Sequence, residues 1–100
     1  MIKIEEKKLL IKIIGTLDAL YNGAITICEG ERYLFSPCNI MRLTQDGYDR
    51  KIIKILEVGC ELEDIESLIP HKLSSNIIAL KQEAINVLKE YDSYEDIMWD

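Results

Sequence analysis

Apolar residues recur at helical spacing along most of the chain. From Glu5 to Asn22, Leu9, Leu10, Ile13, Ile14, Leu17, Leu20 and Tyr21 fall on one side of a helix. Lys8, Lys12, Gly15, Thr16 and Ala19 lie opposite, and Ile11 sits just outside the apolar arc beside Asp18. Asn22-Gly23 supplies a stop, because glycine accepts the left-handed conformation that closes a helix. Residues 25–35, ITICEGERYLF, fit two patterns. As a hairpin, two short strands would flank a Glu29-Gly30 turn. As a helix, Thr26 would be the N-cap, with Glu29 three residues on completing a capping box. The helix is preferred, since a lone hairpin would have no sheet to join.

Ser36-Pro37 reads as an N-cap followed by proline in the first turn, opening a helix to about Gln45 that buries Ile40, Met41 and Leu43. Asp49 caps the next helix, where Ile52, Ile53, Ile55, Leu56 and Val58 cover more than half the circumference. A helix so widely apolar belongs deep in a core. A turn is expected at Gly59. A short acidic helix then places Leu62, Ile65, Leu68 and Ile69 on one face and stops before Pro70. Ser74 or Ser75 starts a long amphipathic helix that runs to about Tyr91. The pattern predicts an all-α fold: one compact domain of about five to six helices, with long N- and C-terminal helices enclosing shorter ones. The alternative is α+β with a hairpin at 25–35. The helical domain spans 1–91, and 92–100 is an acidic-aromatic tail.

Charge adds an asymmetry. The net charge is −6, yet residues 1–50 balance seven Lys/Arg against seven Asp/Glu. All of the excess acid lies in residues 51–100, with five Lys and eleven Asp/Glu. Clustered Lys/Arg are needed to displace counterions from a phosphate backbone, so nucleic acid is disfavoured. A basic protein would be steered toward such a surface. The three cysteines, Cys28, Cys38 and Cys60, form no CxxC pair and fall in apolar patterns that suit buried thiols. No apolar run reaches the roughly 18 residues of a membrane span. A soluble, cytoplasmic protein is expected.

Catalytic chemistry finds few candidates. His71 is the one histidine, and no second soft ligand stands at a usable spacing from it. The glycines are isolated, so no phosphate-cradling loop occurs. The carboxylates between 57 and 66 suit a solvated helix face better than an acid–base pair. The reading is therefore no enzyme, with no cofactor, catalytic residue or metal site.

Two resemblances bear on function. GCELEDIESL (59–68) looks like the helix-turn-helix of regulators whose motif reads "G-aromatic-S-L-E-E-I". Ile55 departs from it, since the position four before the glycine is usually small. The outer face of Glu61, Glu63, Asp64 and Glu66 departs further, as it would repel phosphate. Separately, LFSP (34–37), GCELEDIESLIP (59–70) and the glycine-closed first helix make Gly23 through Pro70 resemble a small uncharacterised bacterial domain family, found mainly in low-GC Gram-positive bacteria. That resemblance implies no activity, cofactor or catalytic residue.

The expected function is that of a non-enzymatic protein-interaction module, an inhibitor or immunity-type binder of a basic partner. Its candidate contact residues are Glu61, Glu63, Asp64 and Glu66. The alternative is a helix-turn-helix-like regulator or accessory subunit. Ile97, Met98 and Trp99 in the tail have no evident intramolecular home and are candidate contacts of a homodimer.

Overall fold

The computed structural model describes residues 2–96 and 99, and the elements follow in the order α1 (Ile2–Tyr21), α2 (Ile27–Tyr33), α3 (Pro37–Gln45), α4 (Arg50–Cys60), α5 (Leu62–Leu68) and α6 (Leu73–Leu88). A 3-10 turn at Pro70–Lys72 leads into α6. No strand occurs among the described residues, so 25–35 is helical and the hairpin alternative is set aside. Four helices, α1, α3, α4 and α6, carry the architecture, fewer than the five to six expected. Helices α2 and α5 are seven-residue pieces between them.

The sequence-encoded caps are in place. Thr26 Oγ1 accepts from the Glu29 amide at 3.1 Å, and Glu29 Oε1 accepts from the Thr26 amide at 2.9 Å. Ser36 Oγ accepts from the Asn39 amide at 3.2 Å, and Asp49 Oδ1 from the Lys51 amide at 2.8 Å. Each occupies a backbone donor that the first helical turn leaves without a partner. Gly23 and Gly47, at φ 71° and 83°, close α1 and α3.

α1 and α6 run antiparallel. Asp18 meets Lys81 at 3.0 Å near one end, and Glu6 meets Tyr91 at 2.8 Å near the other. The apolar residues buried along their contact are Leu10, Ile13, Leu17 and Leu20 on α1, and Ile77, Leu80, Ala84 and Val87 on α6, with Ile4 buried nearer the start of α1. Both sets step by three, four and three residues, the spacing of a narrow coiled-coil seam. Each fully buried Leu or Ile contributes about 1.5–3 kcal/mol relative to exposure. α4 lies against the α1–α6 pair with Ile52, Ile53, Ile55 and Leu56 all buried, as its pattern demanded. Leu34 and Phe35, between α2 and α3, complete the core.

Several side chains depart from the expected pattern. Tyr21 and Ile78 are 46% and 44% exposed, because the interlocking seam is narrower than the full apolar arc. Met41 is exposed because α3 turns Leu43 and the half-buried Ile40 toward the core. Of the face expected to form a corner, Leu62 is buried and Ile65 half-buried, whereas Leu68 is 77% exposed and Ile69 is exposed too. α5 is anchored at its start and runs off the body before the 3-10 turn. Cys28 and Cys38 are exposed and only Cys60 is partly buried, against the expectation of buried thiols. α6 ends at Leu88 rather than near Tyr91.

The largest correction concerns Gly59. It lies in the last turn of α4 and is buried, so it forms no turn. Glu61 alone separates α4 from α5. A Cβ at Gly59 would stand 2.6 Å from Phe35 Cε1, so glycine is required for the ring to lie against the helix.

Candidate functional site

All four expected contact residues, Glu61, Glu63, Asp64 and Glu66, are exposed. Glu61 is the link between α4 and α5: its amide donates to Val58 O at 2.9 Å, and its carbonyl accepts from the Ile65 amide at 3.1 Å. Glu63, Asp64 and Glu66 stand on α5, the first two in its opening turn, where the helix dipole favours negative charge.

The fold adds acid that sequence spacing did not bring in. Glu31 of α2 faces Glu63 of α5, and hydrogen bonding to Glu31 followed by the charge of Glu31 pushes the Glu63 carboxyl above its ordinary range. Cys60 Sγ donates to Phe35 O at 2.9 Å. Burial raises its thiol pKa, and Glu31, Glu57 and Glu61 raise it further. The thiol is thus held protonated and unreactive. Glu31 of α2, Glu57 of α4, Glu63 of α5 and Glu61, the link between α4 and α5, gather on one edge of the molecule. The ion pairs among the described residues are Lys3–Glu6, Lys8–Glu5, Lys51–Glu90 and Lys81–Asp18, and none involves this edge. No group of His, Cys, Asp and Glu among the described residues is placed to hold a metal ion. His71 is exposed in the 3-10 turn.

A second polar centre lies where the ends of the long helices meet. Glu6 is 3% exposed; one carboxylate oxygen accepts from the Asp49 amide at 2.6 Å and the other from Tyr91 Oη at 2.8 Å. Burial, then the hydrogen bond to Glu6, drives the Tyr91 phenol well above its usual pKa of 10.0. The folded state therefore holds this proton more tightly than the unfolded chain does. The resulting stabilisation is complete below about pH 10 and is lost as pH rises beyond it. Tyr91→Phe is expected to be less stable than the wild type at pH 7, and the difference is expected to shrink above about pH 10. Urea titrations of both proteins at pH 7, 9, 10 and 11 check this.

Among the candidate dimer contacts, Ile97 and Met98 lie outside the described residues. Trp99 is half-buried, its indole N–H donates to Tyr94 O at 2.9 Å, and Lys7 Nζ stands 5.7 Å from its ring centroid. Lys7 also donates to Asp92 O at 2.6 Å and sits 5.3 Å from the Tyr94 ring, so this part of the tail folds back on α1. No helix among the described residues is long and apolar enough to cross a membrane.

No curated protein and no solved structure matches the chain. A family model described as "Protein of unknown function (DUF3969)" matches residues 3–99, taking in the long outer helices and most of the tail as well as the central helices. An all-helical domain whose whole length is matched in this way belongs to the DUF3969 family.

Proposed function

We propose that the protein is a non-enzymatic interaction module of the bacterial cytoplasm that captures a basic protein partner on its acidic edge. The observation that carries this reading is the convergence of Glu31, Glu57, Glu61 and Glu63 from α2, α4, the α4–α5 link and α5, with Glu31 and Glu63 facing one another. Like charges held together cost free energy, and a partner's Lys or Arg placed between them relieves that cost. Asp64 and Glu66 on α5 would extend the contact and steer the approach.

Comparing two variants of equal charge tests the proposal. One carries Glu→Gln at 31, 57, 61 and 63. The other is neutralised at the exposed Asp46, Glu83, Glu95 and Asp96. In affinity capture from lysate of the source organism, a basic protein is expected on the wild type and on the second variant at low salt. The first variant is expected to lose it, and high salt is expected to release it. Equal retention by both variants, or capture indifferent to salt, would rule the edge out as the binding surface.

A further inference from the structure

The α1–α3 side of the molecule carries a surface of the opposite character. A cleft of about 410 Å³ lies there, floored by Leu9, Leu34 and Leu43. Three cations, Lys8, Lys12 and Arg42, stand around it with one carboxylate, Glu5. Three positive charges less one negative leave the cleft at +2, in a chain whose net charge is −6. Lys8 is 3.4 Å from Glu5, but no ion pair of the described residues occupies the other two cations. Arg42 donates to the Asn39 side-chain oxygen at 2.6 Å, and Lys12 Nζ lies 4.8 Å from the Tyr33 ring centroid.

The Lys12–Tyr33 contact is also one wall of a second concavity. A groove of about 550 Å³ runs between α1 and α2 along Gly15, Thr16, Ala19 and Ile25, with Glu29 on its lining. Thr16 turns its hydroxyl back to Lys12 O at 2.8 Å, so it adds little polarity to the groove. A Cβ at Gly15 would meet nothing within 4 Å. No neighbour in the chain therefore requires glycine there, although a mid-helix glycine costs about 1 kcal/mol relative to alanine. What the missing side chain does is leave the groove open.

We propose that cleft and groove together bind an anionic amphiphile, a free medium-chain fatty acid. Its carboxylate lies among Lys8, Lys12 and Arg42, and its alkyl chain runs past Tyr33 along Gly15 and Ala19. Charge complementarity selects the head group, and the adjoining apolar groove selects a chain over a short anion. Each concavity has the volume range of small-molecule sites. The Lys12 stem can lift from Tyr33 while its ammonium stays with the carboxylate.

The test titrates the isotope-labelled full chain with dodecanoate below its micellar concentration and follows backbone amide shifts. Saturable shifts are expected at Gly15, Ala19 and Arg42. Octanoate should bind more weakly, by up to about tenfold for each two methylenes removed, and acetate should leave the groove amides unmoved. Gly15→Leu projects into the groove from a position where a Cβ meets nothing within 4 Å, so it should melt at or above the wild-type temperature yet bind at least about tenfold more weakly. Arg42→Glu should weaken binding while leaving the fold intact. The proposal is overturned if dodecanoate moves none of these amides or if Gly15→Leu binds as the wild type does. Equal shifts from neutral dodecyl maltoside would overturn the charged half of the site. Binding to anionic lipid vesicles without binding of free dodecanoate would assign the surface to membranes instead.

Discussion

Gly59→Ala is expected to lower the stability of the fold by about 3 kcal/mol and its melting temperature by at least about 10 °C. Two effects of opposite sign compete. Helix propensity alone would make alanine at this α4 position about 1 kcal/mol more stable than glycine. Against it, the new Cβ would lie 2.6 Å from Cε1 and 2.8 Å from Cγ of Phe35, inside any real carbon–carbon contact. The Phe35 ring is 1% exposed and hemmed in by the core, so it has nowhere to retreat. Overpacking in a close-packed interior therefore decides the outcome. A thermal melt followed by circular dichroism checks the size. A double variant with Phe35→Leu is expected to cost less than the sum of the single changes, since the smaller side chain makes room for the methyl group. If Gly59→Ala melted at the wild-type temperature, the ring could not lie where the structure places it.

Glu6→Ala is expected to cost about 3 kcal/mol, measured by urea unfolding at pH 7. The substitution strands two donors that are bonded to one buried carboxylate, the Asp49 amide and the Tyr91 hydroxyl. Hydrogen bonds to a charged group contribute about 1.5–3 kcal/mol each, and neither donor has a second acceptor in the fold. Glu6→Gln keeps one acceptor oxygen and turns its amide nitrogen toward a donor, so about half of the loss should remain. Combining Glu6→Ala with Tyr91→Phe should be less costly than additivity predicts, because the phenol is then not left unpaired. Fully additive losses would show that the two groups stabilise the protein separately.

The elements of this fold could be read directly where a local chemical signal marks them. The lack of a sheet for a hairpin to join favoured the helix at 25–35, where the Thr26–Glu29 capping box is formed; Ser36-Pro37 and Asp49 marked the starts of α3 and α4, and the apolar girdle of α4 gave its burial. Local signals failed where one residue answers to a distant one. Gly59 carries the punctuation of a turn, and only the Phe35 ring, which arrives from the α2–α3 connection, makes it an interior helical glycine. Nothing in the sequence around Glu6 marks it for burial, which comes about where Tyr91, just past α6, meets the start of α1. Leu68 and Ile69 share a helical face with Leu62, but periodicity says nothing about where a two-turn helix leaves its neighbours. The acidic edge was half visible. Glu61, Glu63, Asp64 and Glu66 lie together in sequence, whereas Glu31 joins them only because α2 packs beside α5.

The antiparallel seam between the outer helices also shapes how the chain reaches this structure. Its contacts join residues as far apart as Glu6 and Tyr91, so almost the whole chain must be gathered before they form. The entropy of closing so long a loop is lost before the seam repays it. Helical proteins with mostly local contacts fold in microseconds to milliseconds, and this topology belongs at the slower end of that class. On this topology α3 and α4, neighbours in the chain, are expected to associate before α1 docks on α6. Seam residues such as Leu17 then act mainly on the rate of unfolding, and the lifetime of the native state is set by how firmly the two outer helices hold one another.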